Sequence, residues 1–123
     1  MPLLWYDTVL PPLTISGNQE LALTLGAKTL VQLTGGTGAF QIFGLAQAGG
    51  NVAGAVITFA NVSNGSATTY KFMGLSSSAS SPVNRFRNPN GGGGNFDGIG
   101  PFYGSITYFY DSSVSLWIML YHS

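Results

Sequence analysis

Four carboxylates, one histidine and no cysteine make up the chain's stock of acidic, imidazole and thiol groups. Asp7, Glu20, Asp97 and Asp111 stand singly along the 123 residues. Two of them meeting in space would suit general acid–base work. Their settings point elsewhere: Asp7 lies in an N-terminal segment, Glu20 opens a strand, Asp97 follows a glycine tract and Asp111 opens the final turn. Asp and Glu in such places cap turns and face water. His122 is the penultimate residue. A catalytic imidazole needs a nucleophile on one side and an orienting partner on the other, and chain ends are poorly fixed. One histidine without cysteine leaves no transition-metal cluster. The expectation is a protein that is not an enzyme and carries no cofactor.

The remaining motifs are weaker. Gly91 to Gly94 and Gly35-Gly36-Thr37-Gly38 are glycine-rich, but no Gly-Lys-Ser/Thr follows and no helix N-terminus completes an anion site. The spacing of the Asn- and Asp-bearing loops gives calcium no support. Asn61-Val62-Ser63 and Asn64-Gly65-Ser66 match a glycosylation triplet, with no secretory signal at residues 1–10 to accompany them. Arg85 and Arg87, at spacing two, are half of the positive charge. With Phe86 and Tyr103 nearby they sketch a sugar or nucleic-acid groove. Without a wider basic field the expected role is pairing with a carboxylate such as Asp97 or Asp111.

Composition carries more weight. Only 7% of residues are charged and the formal net charge is zero, against about 25% in ordinary soluble domains. Nucleic-acid binding, which depends on clustered positive charge, is disfavoured. No apolar run reaches the 18 to 20 residues of a membrane helix. A folded chain of this size exposes roughly 6,300 Å², so each ionised group serves about 800 Å², as much as one partner gives a standard interface. Little repulsion keeps copies apart. An assembling protein is expected.

What would position these residues is a series of short strands. β-Branched and aromatic runs recur between Gly, Asn and Ser turns: Glu20 to Leu25, Lys28 to Thr34, Phe40 to Leu45, Ala55 to Val62, Thr68 to Met73, Val83 to Arg87, Ser105 to Tyr110 and Val114 to Tyr121. No helical periodicity appears. Ser63-Asn64-Gly65-Ser66 predicts a type I′ hairpin. About eight strands at this spacing predict an all-β domain over residues 17–123, an antiparallel, jelly-roll-like β-sandwich. The loops between Ala46 and Gly54 and between Ser76 and Gly100 are long and have little to bury.

In the last strands both faces are apolar. Ile106, Tyr108 and Tyr110 alternate with Thr107 and Phe109; Val114, Leu116, Ile118 and Leu120 alternate with Trp117, Met119 and Tyr121. A sheet with one wet face would alternate apolar with polar, so one face is expected to build the core and the other a subunit contact. Residues 1–16 read as an arm. Leu3, Leu4, Trp5 and Tyr6 are too apolar for a free tail, and Pro2, Pro11 and Pro12 favour extended geometry. The arm packs on its own core as a first strand or docks on a neighbour. The scarcity of charge favours the second.

Residues 37–120 resemble a pattern found in bacteriophage head-decoration and tail-fibre proteins. The elements are an apolar strand (Val56, Ile57, Phe59) ending in Asn61, a polar hairpin, a Ser-rich loop, Asn84-Arg85-Phe86 with Asn88-Pro89, a Gly-rich loop, a strand ending in Tyr110-Asp111, and a final strand centred on Trp117. The long glycine insertion between Asn90 and Gly100 departs from it. The resemblance implies a small β-sandwich that trimerises and does no chemistry. A short free-standing body with an apolar arm then predicts a homotrimeric decoration protein on the outer capsid surface, with itself and the major capsid protein as partners. The expected contact residues, toward capsid or neighbour, are Leu3, Leu4, Trp5, Tyr6, Arg85, Arg87, Phe109, Trp117 and Met119. The alternative is a fibre-tip module that recognises a host glycan through loops such as Asn95-Phe96 and Phe102-Tyr103.

Overall fold

Through most of this chain, successive strands alternate between two sheets. The computed structural model describes residues 6–15, 17–35, 38–63, 68–74, 81–88, 96–100 and 104–122, with only the backbone of 96–98. Among the described residues there are eleven strands: β1 (Thr8–Val9), β2 (Leu13–Ile15), β3 (Gln19–Leu23), β4 (Lys28–Gly35), β5 (Ala39–Gln47), β6 (Val56–Asn61), β7 (Thr69–Met73), β8 (Phe86–Arg87), β9 (Phe96–Ile99), β10 (Ser105–Asp111) and β11 (Leu116–His122). A 3₁₀ turn, Pro82–Asn84, precedes β8. The larger sheet runs β1-β4-β6-β10-β11-β8, with β2 also on β4, and the smaller runs β3-β5-β7-β9.

From β4 to β7 each strand lies in the sheet opposite its predecessor and parallel to the strand two before it. Thus β2, β4 and β6 stack in parallel in one sheet, and β3, β5 and β7 in the other. The first two-thirds of the chain is a flattened coil. The last third closes it with antiparallel pairs: β9 on β7, β10 on β6 and β11 on β10. The short β8 lies parallel to β11.

The expected antiparallel, jelly-roll-like sandwich is therefore corrected to a mixed, mostly β architecture with many parallel pairs. The predicted hairpin fails with it. β6 pairs with β4 and β10, while β7 pairs with β5 and β9, so the strands flanking Asn64-Gly65 belong to different sheets. Residues 64–67 themselves lie outside the described residues. Parallel strands usually read as unbroken apolar runs because helices cover both faces. Here no helix among the described residues covers the sheets, the strands alternate as antiparallel ones do, and alternation carries no record of strand direction.

The arm's described part, residues 6–15, is built into the larger sheet. Asp7 and Leu10 donate amides to the carbonyls of Lys28 and Leu30, and Leu13 to Ile15 continue along Leu33 to Gly35. Pro11 and Pro12 interrupt the run and remove donors on an edge that would otherwise invite pairing. Gly35 permits the closest approach, since a Cβ there would collide with the Ile15 carbonyl oxygen.

Both sheets face one core. Ile57, Phe59, Ile106, Tyr108 and Trp117 from the larger sheet meet Ile42, Leu45, Tyr70 and Phe72 from the smaller, all fully buried. Phe72 touches Phe59 at 4.9 Å, Phe86 at 5.5 Å and Tyr108 at 5.9 Å between ring centroids. Such pairs each contribute about 1 kcal/mol beyond the area they bury. Trp117 joins the sheets by donating its indole N–H to the Leu45 carbonyl, 2.9 Å away.

Candidate functional site

The described carboxylates are engaged at separate places in the fold. Asp7 accepts from the Thr8 hydroxyl and, through its other oxygen, from the Lys28 amide. Glu20 Oε2 accepts from the Ser81 amide at 3.0 Å and the Asn84 side chain at 3.3 Å. Asp111 Oδ1 accepts from the Ser113 hydroxyl at 2.6 Å and its amide at 2.9 Å. These two bonds, the hydroxyl's foremost, hold the Asp111 carboxyl below the usual carboxylate range. Asp97 lies opposite Phe72 in β9, and its side chain is outside the described residues. His122 ends β11 opposite Ile106, exposed. Among the described residues no three His, Cys, Asp or Glu side chains gather to hold a metal. A hollow of about 340 Å³ beside β5 is lined by Leu25, Gly26, Ala27, Gln47, Val52 and small neighbours, with no ionisable group.

Several asparagine and tyrosine side chains between residues 61 and 110 act inside the fold. Asn61, fully buried, donates to the carbonyls of Thr68 and Ile99 and accepts from the Ser63 amide. Asn88 donates to the Phe72 carbonyl and accepts from the Tyr108 hydroxyl at 2.7 Å. Asn84 accepts from Asn51 and donates to Glu20. The Tyr110 hydroxyl donates to the Val83 carbonyl. Each is a polar side chain that satisfies backbone or side-chain groups where strands change sheet, as burial demands. These bonds lock loops onto strands of both sheets. Ser63 and Tyr70 share one more such bond, at 3.3 Å; burial pushes the Tyr70 phenol up, against a smaller opposing effect of that bond.

The surface feature that stands apart is the outer face of the larger sheet. Pairing registers place Lys28, Val56, Phe109, Ile118 and Arg87 in one row across β4, β6, β10, β11 and β8. The next row holds Leu30, Thr58, Thr107 and Tyr121. Leu116 and Leu120 extend the apolar strip along β11. A cation stands at either end of the first row, with three apolar side chains between. Leu120 and Tyr121 are 58% and 60% exposed. Tyr6 reaches this face: its hydroxyl donates to Thr58 Oγ1 at 2.8 Å, and Thr58 Oγ1 lies 2.8 Å from Thr107 Oγ1.

Of the expected contact residues, Tyr6, Phe109 and Arg87 fall on this face. Arg85 is half-buried just before β8. Leu3, Leu4 and Trp5 lie outside the described residues. Trp117 and Met119 are corrected: Trp117 is fully buried and Met119 packs against the core. The reason is register. Phe109 pairs with Ile118 and Tyr110 with Trp117, so Phe109 and Trp117 cannot share a face. Leu30, Val56, Ile118 and Leu120 take their place. The alternation in β11 already separated Ile118 and Leu120 from Trp117; the need of the indole N–H for a buried acceptor was the signal that assigns the phase. Comparison with known proteins returns no matching family model, no matching curated protein and no matching solved structure.

Proposed function

We propose that this chain is a non-enzymatic structural protein of a tailed-phage virion, which assembles as a homotrimer and decorates the outer surface of the head. The observation that carries the reading is the apolar strip across the outer face of the larger sheet. Val56, Phe109 and Ile118 stand there side by side, with Leu116, Leu120 and Tyr121 along the last strand. The accessible surface of 6066 Å² carries eight Lys, Arg, Asp and Glu side chains, about one per interface-sized patch. A large apolar patch on so weakly charged a surface is the mark of a contact site. The resemblance of residues 37–120 supplies the phage setting and the threefold symmetry. Binding that recognises only the assembled shell stabilises that shell by mass action. Mixing the protein with heads assembled without it tests the proposal: the protein co-sediments with them and raises the temperature at which they lose DNA. Heads that neither retain the protein nor gain stability, with retention on host cells instead, would refute it.

A further inference from the structure

We infer that the outer edge of β3 pairs antiparallel, about Ala22, with the same edge of a second copy. The direction of its backbone groups carries this. Leu23 stands opposite Gln47 in β5, and its carbonyl accepts from the Ala48 amide. In a parallel ladder such a residue turns both its backbone groups to the partner strand, and alternate residues turn theirs away. Leu21 therefore faces β5 as Leu23 does, whereas Glu20, Ala22 and Thr24 present amide and carbonyl to the outside. β3 ends the smaller sheet, and among the described residues no backbone group bonds to these. Native sheets guard such edges with proline, charged side chains or very short strands. Pro11 and Pro12 interrupt the larger sheet's edge, and at its other edge β8 has two residues, one of them Arg87. β9, the smaller sheet's other edge, carries Asp97. β3 is unguarded: its one charge, Glu20, is turned to the Ser81 amide and the Asn84 side chain, and Ala22 and Thr24 are small and exposed. A twofold axis at Ala22 sets Ala22 against Ala22 and Glu20 against Thr24, each pair exchanging two hydrogen bonds. No like charges meet. One strand pair is small against a standard interface, so the contact forms at high protein concentration. It leaves the apolar strip of the other sheet to the contacts proposed above. Its place between neighbouring trimers rests on that proposal; the pairing itself does not.

Amide hydrogen exchange of the full-length protein, read residue by residue, tests the pairing. The Glu20, Ala22 and Thr24 amides should exchange fast at low micromolar concentration and several-fold more slowly at high concentration, while Leu21 and Leu23 stay protected throughout. Ala22→Pro removes a donor that β5 does not use. It should abolish the slowing at Glu20 and Thr24 and leave far-UV circular dichroism unchanged. A second readout does not depend on the proline being tolerated. The chain has no cysteine, so Ala22→Cys carries a single thiol. A short bis-maleimide should join two such copies several-fold faster than it joins copies of Ala53→Cys, another exposed alanine. Exchange at the three amides that is fast at every concentration, or slow at every concentration, would overturn the inference. Equal cross-linking rates would overturn it too. Heads enter none of these measurements, so the edge contact and the proposed function can fail separately.

Discussion

At the scale of single residues, the buried polar side chains that the structure describes hold strands and loops together. Asn61 makes three hydrogen bonds in a dry site. Asn61→Ala leaves two carbonyls and an amide without that partner, and is expected to lower the unfolding free energy by about 3 kcal/mol, measured by urea denaturation. Tyr70 gives a pH signature. Burial favours its neutral phenol, so the folded chain holds this proton to higher pH than the unfolded chain does. The stability it contributes is complete below about pH 10 and is lost as pH rises through the raised folded value. Denaturation midpoints followed up through this alkaline range should fall more steeply for the wild type than for Tyr70→Phe. Equal slopes would show that the phenol does not report on folding. Asp111 works in the opposite direction. Its lowered carboxyl helps the β10–β11 turn above the ordinary Asp range, and that help disappears as acid protonates the folded form. The turn lies at the surface, so the effect is small and screened by salt.

At the scale of elements, the positions of the strands were legible and their partners were not. The predicted run Lys28 to Thr34 is β4 less one residue, and Ser105 to Tyr110 is β10 less one. β-Branched and aromatic content with period two marks a strand whatever lies beside it. Partner choice depends on connections between sheets, and Asn64-Gly65 misled because a turn-forming pair does not say whether the strands flanking it share a sheet. β1 and β2 were hidden by Pro11 and Pro12, which read as a break. The structure uses them as an edge. β9 was hidden in a glycine-rich stretch. The edge built by β2 depends on Gly35, where an added Cβ would meet the Ile15 carbonyl. Gly35→Ala is expected to cost about 2 kcal/mol and to speed amide hydrogen exchange at Leu13 to Ile15 while β6 and β10 stay protected. Uniform exchange behaviour across all strands would mean that β2 is not a separately attached element. The outer-face residues were half legible: alternation in β11 divided Ile118 and Leu120 from Trp117, but only the cross-strand register tells which set faces the core.

At the scale of the whole molecule, the proposed function rests on an almost uncharged body with an apolar strip on one sheet, offered to other copies and to a shell. Placing a charge in the strip without disturbing the core separates assembly from folding. Ile118→Lys sits opposite Phe109 and beside Arg87, where a second cation meets both desolvation and like-charge repulsion at a subunit contact. It is expected to give a folded monomer with unchanged near-UV circular dichroism, whereas Trp117→Ala, which empties the core, should lose about 4 kcal/mol of stability. The most direct measurement is the mass of the unmodified protein in dilute buffer by multi-angle light scattering. The account predicts three times the chain mass of 12.9 kDa, persisting at low micromolar concentration. A folded species of 12.9 kDa across that range would contradict it.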